Sequence, residues 1–138
     1  MREVLQARAV RLGERAATRE EAIARCGQVL VEIGAVAQPD VAAMLERERS
    51  ISTYVGEGVA IPHGTSKEHV TRDAICVLRF PDGIDWDGEH VVVCVGIAAR
   101  GDGHVALLAE LAEILLDPER ARALREATDV DAVMKEFT

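Results

Sequence analysis

Aromatic side chains are almost absent from this chain: one Trp, one Tyr and two Phe, or 3% of 138 residues. So few rings leave little on which to stack nucleobases, and a formal charge of −8 repels both a phosphate backbone and an anionic membrane surface. Neither nucleic acid nor a lipid surface is an expected partner; a basic face on another protein is. Cysteine is scarce as well. Cys26, Cys76 and Cys94 are far apart, odd in number and each inside an apolar segment, with neither a C-x-x-C pair nor metal-type spacing, so they read as buried free thiols. Long apolar runs are missing too: nothing approaches the roughly eighteen residues of a membrane span, and no apolar signal segment follows Arg2 and Glu3. Direct membrane insertion is therefore not expected, and a cytoplasmic location is.

The motifs that cradle nucleotides, G-x-x-x-x-G-K-[ST] and G-x-G-x-x-G, do not occur, nor does the G-x-S-x-G elbow of a hydrolytic serine. The chain has no evident ATP site, and no cofactor is expected.

What is present suits one globular unit. Hydrophobic residues make up 49% of the chain, enough for one core built mainly of Ala, Val, Leu and Ile, so one domain over residues 1–138 is expected. Thr18 and Glu21 form a capping-box pattern, after which Ala22, Ile23, Cys26, Val29, Leu30 and Ile33 recur at helical spacing up to Gly34. Pro39 and Asp40 open a second helix running to about Arg49. Three short β-type runs follow: Ile51 to Val55, Val59 to Ile61, and Ala74 to Phe80, the last closed by a Pro81-Asp82-Gly83 turn. Val91 to Ala99 is the longest β-branched run, and its unbroken apolar character predicts a central strand covered on both faces. Helical patterns at Val105 to Leu115, 119–127 and 129–137 complete the chain. Strands interleaved with helices predict an α/β fold: a mixed, mostly parallel central sheet of about five strands with helices on both faces, a three-layer sandwich.

The block Gly56-Glu57-Gly58-Val59-Ala60-Ile61-Pro62-His63-Gly64-Thr65 concentrates the chemistry. Pro62 lacks an N–H and Gly64 tolerates dihedrals closed to other residues, so the apolar run stops and His63 sits at a strand end. An imidazole that is neutral near pH 7 can accept a phosphoryl group and pass it on. Alone, Pro62-His63-Gly64 favours a structural turn histidine, and other residues must shift that reading. His104 stands at the start of the Val105 helix, where free N–H groups and the dipole attract an anion. Arg47 supplies a permanent planar donor for the charge of a transferring group, or else an i,i+3 or i,i+4 surface ion pair near Glu48. Glu57 could orient an imidazole nitrogen or simply face water. Thr65 could donate its hydroxyl to a phosphoryl oxygen or only stabilise the turn. His69 and His90 lie among charged residues and receive no role. A metal site from His63, His69 and His104 lacks the close spacing such sites use, and none is expected.

With these residues assembled, the chain resembles the enzyme IIA domain, mannitol/fructose class (type 2), of the bacterial phosphoenolpyruvate-dependent sugar phosphotransferase system. The resemblance covers most of the chain. It rests on Glu21-Ala22-Ile23, Leu30 to Gly34, Met44-Leu45-Glu46-Arg47-Glu48, Ser52 to Thr65, and Val95 to Ala99 through His104. In that family the histidine of the I-P-H-G block is phosphorylated on Nε2 by the histidine carrier protein HPr and then donates to a cysteine of enzyme IIB. The resemblance puts that role on His63, the family's active-site arginine on Arg47 and its second histidine on His104. The P-H-G-T ending and the S-T-Y-x-G-E-G segment look more like mannitol-type members than the nitrogen-regulatory relatives. Gly103 stands where an acidic residue is expected before the second histidine. HPr as donor, a separate enzyme IIB as acceptor and a role in sugar uptake are what the resemblance implies. The alternative is a regulatory or nitrogen-type IIA module whose phosphorylation state controls binding to a partner protein.

Overall fold

The computed structural model describes residues 4–64, 68–100 and 103–137, without the side chains of Gly103 and His104. The elements in order are β1 Leu5–Arg11, α1 Arg19–Glu32, α2 Pro39–Ser50, β2 Tyr54–Gly56, β3 Val59–Ala60, β4 Ala74–Trp86, β5 Glu89–Ala98, α3 Gly103–Leu116, α4 Pro118–Glu126 and α5 Val130–Glu136. They form a five-stranded sheet in the order β1-β4-β5-β3-β2. The β1–β4 and β3–β5 pairs are parallel, while β4–β5 and β2–β3 are antiparallel. The sheet is thus mixed, as the sequence predicts, but evenly so rather than mostly parallel, because two of its four pairings are hairpins.

The helix ends follow from local chemistry. Thr18 Oγ1 accepts the Glu21 N–H at 3.1 Å, and Glu21 Oε2 reaches back to the Ala17 N–H at 3.3 Å. Asp117 and Asp129 cap α4 and α5 in the same way. The apolar stripe Ala22, Ile23, Cys26 and Leu30 of α1 is completely excluded from solvent against β4 and β5. Strand alternation puts the helices on both faces. Cys76 of β4 meets α1, its Sγ 3.6 Å from Cys26 O, whereas Arg79, three residues on, donates its Nε to Arg125 O of α4 at 2.7 Å. The three cysteines are free and buried, and desolvation pushes the Cys76 thiol well up.

Two elements differ from expectation. β1 has no counterpart in the sequence reading, because its buried residues Leu5, Ala9 and Val10 do not alternate. Pro81-Asp82-Gly83 does not end its strand either. β4 runs through it with a register shift between Arg79 and Ile84, which accommodates the missing proline N–H, and the reversal comes at Asp87-Gly88.

Gly96 is a tight packing point between sheet and helix. It pairs with Cys76 across β4–β5, and a Cβ there would stand 2.7 Å from Cys76 Sγ and 3.1 Å from Cys26 Cβ. Gly96→Ala is expected to destabilise the fold by about 1–3 kcal/mol, the usual cost of overpacking. Urea unfolding checks this, and an unchanged midpoint would show that the helix–sheet contact is looser than described.

Candidate active site

β3 delivers His63 by running parallel beside β5, pairing Val59 with Val93 and Ala60 with Cys94. Beyond the end of β3 the pairing continues as a bridge: Ile97 N–H donates to Pro62 O at 3.0 Å, and His63 sits opposite Ile97. His63 is half-buried, with Nδ1 2.9 Å from Ile61 O. A carbonyl oxygen can only accept, so Nδ1 carries a proton, and whenever the ring is neutral its lone pair lies on Nε2. Gly64 lies outside the positive-φ region, contrary to the expectation that it supplies unusual dihedrals. Its requirement is space, since a Cβ there would stand 2.7 Å from Asp40 Oδ1 and 3.4 Å from Ala43 Cβ of α2.

Arg47 lies in the last turn of α2, where its Nη1 donates to Ile51 O at 2.7 Å. No carboxylate among the described residues pairs with it, Glu48 included. Glu48 instead points inward, 5% exposed, and accepts from Thr53 N at 2.9 Å, from Thr53 Oγ1 and from Trp86 Nε1 at 3.0 Å. Thr53 O in turn takes the Ile61 N–H at 3.0 Å, which ties the end of α2 to the strand leading into His63.

The remaining candidates divide. Glu57 is exposed at φ 56° in the β2–β3 turn, and Arg125 Nη1 donates to both its carbonyl and its Oε2 at 3.0 Å. The backbone of His104 opens α3, while its side chain and all of Thr65 lie outside the described residues. His69 contributes its carbonyl to Ala37 N–H at 2.7 Å, and the His90 ring fills the side-chain space of Gly83. Among the described residues no group of three or more His, Cys, Asp or Glu side chains is arranged to hold a metal ion. Beside the site, a groove of about 490 Å³ runs between the β2–β3 arm and α3, lined by Val55, Ile61, Leu108, Leu111, Leu115 and Leu116. Leu116 is 83% exposed there, and Val55 42%.

Two functional-region residues escape the sequence reading. Glu48 looks like part of a solvated charge run, yet it shares the helical face of Val41 and Met44, which is the signal that betrays it. Asp40, read only as a helix opener, is 1% exposed.

The candidate site therefore comprises His63 at a strand end of the mixed sheet, an apolar groove alongside it, and Arg47, which has no carboxylate partner among the described residues. A family profile described as phosphoenolpyruvate-dependent sugar phosphotransferase system, EIIA 2, matches residues 3–138, and the chain belongs to that family. Over 122 residues it is 38% identical to the mannitol-specific phosphotransferase enzyme IIA component of Staphylococcus aureus, covering 87% of this chain and 85% of that one. It is 42% identical to the multiphosphoryl transfer protein of Escherichia coli O157:H7, covering 86% of this chain, which spans only 32% of that longer relative. Enzyme IIA of the mannitol system from Escherichia coli, solved in complex with phosphorylated enzyme IIB, superposes with a TM-score of 0.89 at 35% identity, covering 96% of this chain and 97% of that one. The nitrogen regulatory protein IIA-Ntr of Neisseria meningitidis has a TM-score of 0.88 at 22% identity, covering 99% and 98% of the two chains, and shares the fold alone.

Asp40 adds an electrostatic feature beneath the His63 loop. Neither carboxylate oxygen has a hydrogen-bond partner among the described residues. Desolvation raises its pKa, partly offset by the nearby His69. The folded state therefore holds the proton over a pH window in which the unfolded chain has released it. Stability falls as pH rises through that window, and the full penalty is present above the raised pKa. Asp40→Asn is expected to stabilise the protein at pH 7 by on the order of 1 kcal/mol. The gain should shrink as pH drops below the raised pKa. Paired urea titrations across acid pH check the sign; a gain that grows on acidification contradicts it.

Proposed function

We propose that the chain is a phosphoryl carrier of the sugar phosphotransferase system, that residues 1–138 act as one such unit, and that His63 is the residue that carries the phosphate. The Nδ1–H bond from His63 to Ile61 O is the observation that carries the reading, because it reserves the Nε2 lone pair for attack. On docking of phospho-HPr, Nε2 attacks the phosphorus in line. The N–P bond to the donor histidine breaks as the Nε2–P bond forms, and the donor keeps the electron pair. In the second transfer a cysteine thiolate of a separate enzyme IIB attacks the same phosphorus, and Nε2 leaves with its lone pair restored. Arg47 and His104 stabilise the charge on the equatorial oxygens. Thr65 serves the turn or donates its hydroxyl to the phosphoryl group. Glu57 braces the β2–β3 arm.

The apolar groove beside Ile61 supports a docking role, since two partners must reach one nitrogen in turn and release it quickly. The relatives named for mannitol make that sugar the favoured one for the system served. A cytoplasmic location accords with this role, and no described helix is long and apolar enough to cross a membrane. A purely regulatory module finds no comparable support, because the nitrogen-regulatory likeness is one of fold alone.

Incubation with phosphoenolpyruvate, enzyme I and HPr is expected to place acid-labile, base-stable phosphate on the wild type and none on His63→Ala. Arg47→Ala should slow labelling about a hundredfold, the usual cost of one lost transition-state donor. His104→Ala should slow it without abolishing acceptance. Equal labelling of wild type and His63→Ala rejects the assignment.

A further inference from the structure

Just beyond the β2–β3 ladder, in register with its Tyr54–Ala60 pair, Thr53 and Ile61 face each other two residues before His63. In an antiparallel ladder the two residues of a hydrogen-bonded pair exchange both N–H···O=C bonds. Thr53 and Ile61 complete only half of that exchange. Ile61 N–H donates to Thr53 O at 3.0 Å, whereas Thr53 N–H turns away to Glu48 Oε2 at 2.9 Å. The Ile61 carbonyl, deprived of its ladder donor, accepts His63 Nδ1–H at 2.9 Å. Glu48 can hold the amide firmly because Thr53 Oγ1 and Trp86 Nε1 also donate to its buried carboxylate. The same anchor fixes the turn from Ser50 to Thr53, whose Ile51 carbonyl holds Arg47 Nη1 at 2.7 Å.

We infer that Glu48 is a positioning residue for the transfer: by capturing the Thr53 amide it keeps the Ile61 carbonyl for His63 Nδ1, and so keeps the imidazole lone pair on Nε2. Without that capture, Thr53 N–H closes the ladder onto Ile61 O and competes with the imidazole. The ring proton then distributes between the two nitrogens, and only the fraction with a bare Nε2 can attack. The inference rests on the reading of His63 as phosphoryl acceptor, but its first link, from Glu48 to the tautomer, needs no phosphate to be observed.

Imidazole ¹⁵N shifts of His63 in the full chain, together with phosphorylation kinetics from phospho-HPr, test both links. The wild type is expected to hold the proton on Nδ1. Glu48→Met keeps the side-chain volume but accepts nothing; it should lose that tautomer preference and lower kcat about tenfold at unchanged KM, since the docking groove is untouched. Glu48→Gln should restore both, because its amide oxygen still accepts Thr53 N–H and Trp86 Nε1–H while the Thr53 hydroxyl turns to accept. A folded Glu48→Met with the wild-type tautomer overturns the inference and leaves the reading of His63 intact. Unphosphorylated wild-type His63 overturns that reading and the transfer half of the inference, while the tautomer shifts are still measured. Should Glu48→Met not fold, through-hydrogen-bond couplings in the wild type decide: coupling from Thr53 N to the Glu48 carboxylate carbon is expected, and coupling to the Ile61 carbonyl carbon overturns the inference.

Discussion

A single hydrogen bond, His63 Nδ1–H to the Ile61 carbonyl, is the constraint around which the active region is organised. It fixes which ring nitrogen holds the proton, and it does so with the backbone, which does not ionise and moves little. The surrounding architecture serves to put that carbonyl and that ring in register. β5 holds the segment from one side through Ile97 N–H and Pro62 O, and the end of α2 holds it from the other through Thr53 and Ile61. Beneath, Asp40 and Ala43 fill the space that a side chain at position 64 would occupy. An imidazole gripped this way is pre-oriented before any partner arrives, so less of the docking energy goes into arranging it.

Chemistry and docking are divided between different elements. His63 hangs from the sheet, where the paired cores of β4 and β5 are buried and resist deformation. The apolar groove lies between the β2–β3 arm and α3, with Leu108, Leu115 and Leu116 partly or largely in solvent above a buried Leu111. Arg125 braces the arm by gripping Glu57 twice, which holds a residue at φ 56° in place. A net charge of −8 suits encounter with basic faces without demanding tight binding. Such an arrangement suits a carrier that must load and unload in succession.

Much of this was legible in the residues, and the gaps have definite physical reasons. The cap at Thr18 acts within one turn, so local spacing reveals it. The central place of β5 follows from its unbroken apolar run. β1 escapes because its burial is set by β4 and α5 rather than by alternation along its own length. Pro81 misleads because a bulge, a property of two strands, absorbs what looks like a stop in one. In the site, His63 and Arg47 carry their signal in short motifs. Glu48 and Asp40 do not, since an acidic residue on a helix reads as solvated until tertiary packing buries it. The diversion of the Thr53 amide is invisible in sequence altogether, because it is a competition between two acceptors brought together only by the fold.

The most direct measurement is the site of the N–P bond itself. Protein labelled with ¹⁵N in its imidazoles is phosphorylated through phosphoenolpyruvate, enzyme I and HPr, and the one-bond ¹⁵N–³¹P coupling is assigned. Coupling at Nε2 of His63 is the predicted result; coupling at its Nδ1, or at His69, His90 or His104, contradicts it.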